Sequence, residues 1–265
     1  GLGSRVRFWS VRGDDDAGQF AADALEGLRV DAQLGIDESR PTTVKRRYRA
    51  DGKTMLRVNR LRSHAIDQET QARLIESLEP QIAQADLVIF ADFNYGCLPT
   101  PMVKTLIECA RKHGAVVVAD SQSSSQTGDV GRFQGVDLLT PTEREARLSL
   151  QDHESGLVVL AEQLRQKANA GNVLLTLNKE GVLLHAGDAR GEWKTDRLPA
   201  FNPHPADPAG AGDCLLAAAS LALAAKGTIW QAVYLGSVAA AIQVGRVGNQ
   251  PVTAREITQA NGGLR

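Results

Sequence analysis

Short runs rich in β-branched residues alternate along the chain with longer stretches of helical period. RVRFWSV precedes a helical pattern over residues 15–28, ADLVIFAD precedes one over 101–113, GAVVVAD leads into GVDLLT, and a further helical pattern covers 143–150. That alternation predicts a parallel sheet with helices on both faces. LVIF and VVVA are apolar at every position, as strands covered on both faces must be, so they mark the middle of the sheet. Over residues 42–60, TTVKRRYRADGKTMLRVNR holds two alternating stretches around Asp51-Gly52, a dipeptide suited to a tight hairpin turn. This predicts an antiparallel ribbon outside the parallel sheet. NVLLTLN, GVLLHAG and EWKTDRL read as consecutive strands, and three helices follow over 213–225, 229–244 and 253–260. No internal repeat or Pro/Gly/Ser-rich linker divides the chain, so the pattern predicts one α/β domain over 1–265 with a small β appendage.

Composition narrows the function classes. At 265 residues, 43% apolar and 23% charged, the chain has the make-up of a folded globular protein. Thirty basic against thirty-one acidic side chains give a net charge of −1, which offers no long-range pull toward nucleic acid or anionic lipid. Small molecules are the expected ligands. Cys97, Cys109 and Cys214 are too few and too scattered for a disulfide framework or a zinc site, which points to a reducing, cytoplasmic compartment. The longest apolar run, CLLAAASLALAA, stops at Lys226 and reads as a core helix rather than a membrane span.

The candidate chemistry sits just before that run, in DPAGAGD, residues 207–213. A helix start leaves its first N–H groups without partners and carries a partial positive charge, so a glycine-rich approach to it invites an anion such as phosphate. The dipole favours an ionised Asp213, which can accept a proton while Gly210, Ala211 and Gly212 point N–H groups at phosphoryl oxygens. The same string also serves as a plain tight turn with a helix cap.

DPAGAGD resembles the C-terminal signature of the ribokinase-like, or PfkB, family of sugar and nucleoside kinases. Other segments follow in that family's order: GDDDAG, the lid-like RPTTVKRRYRADGKTMLRVNR, ADFNYG, LLTPTEREA and TLNKEG. The heptose-phosphate kinase branch is the nearest match. The resemblance implies a three-layer sandwich with a mainly parallel sheet and a β-ribbon lid, roughly residues 40–60. It implies ATP and Mg2+, with Asp213 as the base and Gly210, Ala211 and Gly212 as the anion hole. Thr176, Asn178 and Gly181 would line the nucleotide, although Glu180-Gly181 also fits a hairpin turn. Glu145 would order the magnesium ion, helped by Thr142 where the family carries Asn. Lys45, Arg47 and Arg57 on the ribbon, with Asn94 and Asp120, would meet a sugar or sugar phosphate, and the ribbon edge would pair two copies into a homodimer.

Departures cluster on the acceptor side. Tyr95 stands where the heptose-phosphate branch carries Lys, ADSQSSSQTGD replaces its D-P-K segment while keeping Asp120, and the sugar-gripping Asp of the family's first strand is absent from these residues. The expectation is an N-terminally short chain, with an open sheet position beside RVRFWSV. A nucleoside or small-alcohol kinase, or a binding protein of the same fold without activity, stays open as an alternative. No G-x-G-x-x-G follows an early strand, which argues against a dehydrogenase.

Overall fold

The computed structural model describes residues 1–50, 53–123, 126–187 and 192–263. In chain order the elements are β1 (Arg7–Arg12), α1 (Asp16–Gly27), β2 (Asp31–Ile36), β3 (Val44–Ala50), β4 (Lys53–Arg60), α2 (Gln68–Ile82), β5 (Leu87–Asp92), α3 (Thr100–Lys112), β6 (Val116–Ser121), β7 (Leu138–Leu139), α4 (Glu143–Leu150), α5 (Leu157–Lys167), β8 (Asn172–Thr176), β9 (Val182–Gly187), β10 (Trp193–Leu198), α6 (Ala211–Ala224), α7 (Ile229–Val244) and α8 (Ala254–Gly263).

Six strands in the order β10-β9-β8-β7-β6-β5 form the middle layer. β5 to β8 are parallel, while the consecutive strands β8, β9 and β10 run antiparallel as a meander, an orientation the sequence pattern left open. Alternation along the central strands builds two cores. Val117, Ala119, Leu139, Val173 and Leu175 pack with residues of α2 to α5. Val118, Leu138 and Leu174, each the odd residue between or beside them, pack with Leu215, Leu216 and Ala219 of α6 and Ala232 and Val233 of α7. Period-two side chains, apolar on both faces, thus fix a helix–sheet–helix sandwich.

The ribbon is present as predicted, β3 against β4 in antiparallel register from Val44↔Arg60 to Ala50↔Lys53. Its expected turn, Asp51-Gly52, lies outside the described residues. GVDLLT yields a ladder of only two residues, Leu138 and Leu139, and β2, α2 and α5 are elements the sequence pattern did not predict. β1 pairs in parallel with β2 in a separate two-stranded sheet. Among the described residues no strand is hydrogen-bonded to the other edge of β1 or to the outer edge of β5, and Phe8 and Ile89 beside them are exposed.

Candidate active site

Gly210 caps α6 in the left-handed conformation, φ +78°, and a Cβ there would lie 2.3 Å from Oδ1 of Asn249. Only glycine fits both constraints. Gly212, two residues later, is different: a Cβ on it would meet no atom within 4 Å. The protein itself does not demand glycine there, and the space before the helix stays open. Among the described residues no protein acceptor meets the amides of Gly212 or Asp213, and Ala211 N reaches Pro208 O only at 3.4 Å. The first turn of α6 therefore presents N–H groups and a dipole to an open space, which is the physical requirement for holding an anion.

Asp213 lies in that first turn and its residue is exposed. Partial burial of its carboxyl nevertheless pushes the pKa above the ordinary carboxylate range. The sequence led to a dipole-stabilised anion. The structure adds an opposing desolvation, and a carboxylate made more basic in this way is better suited to take a proton. Nε2 of Gln122 donates to Oδ1 of Asp213 at 3.3 Å.

Two other acidic groups share this end of the sheet. Asp120, at the end of β6, is pushed up to about 7 by desolvation first, then by the charges of Glu145 and Asp213. Glu145 sits in the first turn of α4 in a capping box with Thr142: its Oε2 accepts from Thr142 N and Oγ1, both at 2.8 Å. Its Oε1 accepts from Ser123 N at 2.8 Å. The expected metal residues are thus turned on each other and on the loop after β6. Among the described residues no group of three ligating side chains converges. Oε1 of Glu145 accepts a single hydrogen bond and keeps a lone pair that can accept from a metal-bound water, while Thr142 Oγ1 is turned onto Glu145 itself.

Asn94, expected at the acceptor, spends its amide inside the protein. Nδ2 donates to Ser121 Oγ at 3.1 Å and to Gln122 O at 2.9 Å, and the residue adopts φ +60°. Asp92, buried at the end of β5, holds Asn94 N at 2.9 Å and the Arg132 guanidinium at 2.7 Å. Asn94 therefore ties the exit of β5 to the exit of β6 and so places Gln122. Sequence reasoning missed Gln122, since ADSQ showed only as a departure and no spacing pointed to its side chain.

On the ribbon, Lys45, Arg47, Arg57 and Asn59 share one face by register. Lys45 Nζ lies 5.2 Å and 5.0 Å from the ring centres of Phe93 and Tyr95, which brings that basic face onto the ADFNYG loop. Arg47 and Arg57 remain exposed on it. At the ribbon root a polar cavity of about 300 Å³ is lined by Asp14, Asp15, Glu38, Arg40, Arg60 and Arg62 among others. Its lining does not include Asp213.

For the nucleotide, Thr176 ends β8 and pairs with Val182, and Asn178 and Gly181 lie in the β8–β9 connection. A Cβ on Gly181 would fall 2.1 Å from Leu198 O, so the close pass of the chain beneath β10 already accounts for that glycine. Thr176 bridges to Thr142, which places the β8 end beside α4.

The pfkB family carbohydrate kinase model matches residues 1–255. Bifunctional protein HldE of Bradyrhizobium diazoefficiens is 32% identical over 263 residues, covering 97% of this chain and 51% of that protein. HldE of Helicobacter hepaticus is 30% identical over 97% of this chain and 52% of its own length, so this chain spans about half the length of the curated relatives it matches. Among solved structures, ribokinase from Giardia lamblia superposes with a TM-score of 0.78 at 19% identity, covering 98% of this chain and 84% of that one. Phosphofructokinase-2 from Escherichia coli superposes with a TM-score of 0.77 at 15% identity, over 99% and 83%. These likenesses show the ribokinase-like three-layer fold. With the family match running through both the ribbon and the glycine loop, the chain belongs to the pfkB family of carbohydrate kinases.

Proposed function

We propose that this chain is an ATP-dependent phosphotransferase that moves the γ-phosphate to a hydroxyl of a sugar or sugar phosphate of the heptose-like group. The observation that carries the reading is the start of α6, where Asp213 stands beside amides with no protein acceptor, facing open space. Asp213 takes the proton from the acceptor hydroxyl as its oxygen bonds to the γ-phosphorus. The bond from that phosphorus to the bridging oxygen breaks, and ADP leaves with the electron pair. The N–H groups of residues 210–212 stabilise negative charge on the phosphoryl oxygens in flight. Similarity to HldE proteins supports a heptose-type acceptor. The basic face of Lys45, Arg47 and Arg57 supports an acceptor that carries phosphate. Magnesium, implied by the family resemblance, would supply positive charge against the phosphate oxygens when bound.

The test is ADP release by the intact protein against heptoses, hexoses, their phosphates and nucleosides, with Asp213→Asn alongside. The expected result is turnover with a sugar or sugar phosphate and a loss of about 10²–10⁴-fold in kcat for the Asn variant. Full activity of Asp213→Asn would remove the base; saturable binding without turnover by the parent would make the chain a binding protein.

A further inference from the structure

Gln243, in the last turn of α7, has no exposed surface. It is carried on the helix that supplies Ala239 and Ile242 to an apolar cluster with Ala218 and Val252, and it lies beside Cys214 of that cluster. A carboxamide in such a place is costly unless its donors are used. Both are: Nε2 donates to Ala209 O at 3.1 Å and to Gly248 O at 2.8 Å. Oε1 lies 3.9 Å from Cys214 Sγ, a weak donor. Ala209 immediately precedes Gly210, Cys214 immediately follows Asp213, and Gly248 precedes Asn249, the residue that leaves no room for a Cβ on Gly210. One buried side chain thus touches the chain on both sides of the glycine loop and the turn packed on it. Asp207 reinforces the clasp, accepting from Ala209 N at 3.1 Å and from Gly248 N at 3.4 Å.

The consequence follows from peptide geometry. In a planar trans peptide the C=O of one residue and the N–H of the next point in opposite directions. Drawing Ala209 O inward to Gln243 therefore turns Gly210 N–H away from the core. We propose that Gln243 is a positioning residue for the anion hole, fixing the peptide planes that aim the N–H groups of residues 210–212; this rests on the reading of that loop as the phosphoryl holder. An apolar residue of equal volume would satisfy packing but would leave two carbonyls free to turn.

Gln243→Met, which keeps the volume and removes both N–H donors, tests this in the intact protein beside Asp213→Asn. Gln243→Met is expected to lower kcat about 10–100-fold, less than or near the cost of deleting a direct oxyanion donor, with KM for ATP and acceptor within about threefold of the parent. Gln243→Ala opens space for a small amide, so acetamide is expected to restore kcat several-fold while acetone, similar in shape but without N–H, does not. The proposal is overturned if Gln243→Met turns over within twofold of the parent while Asp213→Asn is inactive. Equal rescue by acetone, or failure of every Gln243 variant to fold, would assign the residue to core stability and overturn it too. Full activity of Asp213→Asn would instead remove the base reading, whatever Gln243 does.

Discussion

Two glycines separated by one residue carry opposite demands. Gly210 is required by the fold: its φ is +78° and Asn249 occupies the place of a side chain. Gly212 is required by nothing within 4 Å. Gly210→Ala is therefore expected to cost about 1–3 kcal/mol of stability, from left-handed strain plus displacement of Asn249. Gly212→Ala should fold as well as the parent or better, since alanine is favoured over glycine in a helix by about 1 kcal/mol. It should nonetheless lose turnover, because the methyl group stands where phosphoryl oxygens would approach the amides. Denaturant unfolding and kcat measured on both variants check this. A Gly212→Ala enzyme with unchanged kcat would show that no ligand group needs that space. The DPAGAGD string drew notice in the sequence through the family's motif order, since alone it serves equally as a tight turn with a helix cap. It could not distinguish the two glycines, since that difference depends on Asn249, almost forty residues away in the chain.

Elements meet at the site by their ends. The exit of β6 brings Asp120, the first turn of α4 brings Glu145, and the first turn of α6 brings Asp213, so Asp120 comes within reach of two other charges without any one element being unusually acidic. Asp120 responds most, its pKa raised to about 7 by desolvation and by the other two charges. A carboxyl raised in the folded state stabilises the fold below its unfolded value, near 4, and loses that contribution as pH climbs through about 7. Asp120→Asn, which cannot ionise, should thus change stability little at pH 4 and raise it at pH 8, by at most about 4 kcal/mol. Thermal melts across that range decide it, and a stability difference independent of pH would refute the coupling. Strands and helices with a clean period were legible in the sequence, among them β5, β6, α3, α4 and the ribbon. β2 was not, because DAQLGI carries glycine and few β-branched residues. α2 escaped because Pro80 interrupts a weakly apolar pattern, and the helix tolerates it only near its last turn. What the sequence could not show is how Asn94, Thr142 and Glu145 are held: tertiary placement sets the Asn94 amide on Ser121 and Gln122, and the Glu145 carboxylate on Thr142 and Ser123.

At the scale of the molecule, the β1–β2 sheet with α1 and the ribbon must be held to the sandwich without a ladder, since β1 and β5 share no hydrogen bonds. Val11 of β1 packs against the larger core, and polar contacts make up the rest of the seam. Arg40 is buried, pairs with Asp37 at 2.6 Å, and donates to Tyr95 O at 2.7 Å and His64 O at 2.8 Å. Arg7 meets Gln81, and Ile66 N reaches Gly96 O at 3.0 Å nearby. Because Arg40 stands at the root of the ribbon and grips the loop that carries Asn94 and Tyr95, it couples the position of the ribbon to that loop. Arg40→Met removes the grip and leaves the Asp37 carboxylate with its Ser39 partners alone, a loss expected near the lower end, about 3 kcal/mol, for a broken buried pair. The damage should be uneven: amides of β1 to β4 should exchange faster, while those of β6 and β8, enclosed by both cores, keep their protection. Adding Asp37→Asn to Arg40→Met should return part of the stability, since no charge is then left unpaired, but it should not restore slow exchange in the ribbon, because Tyr95 O and His64 O still lack their donor. Hydrogen exchange on the two variants separates these effects, and uniform acceleration across all strands would mean that the lid unit and the sandwich open together rather than at this seam.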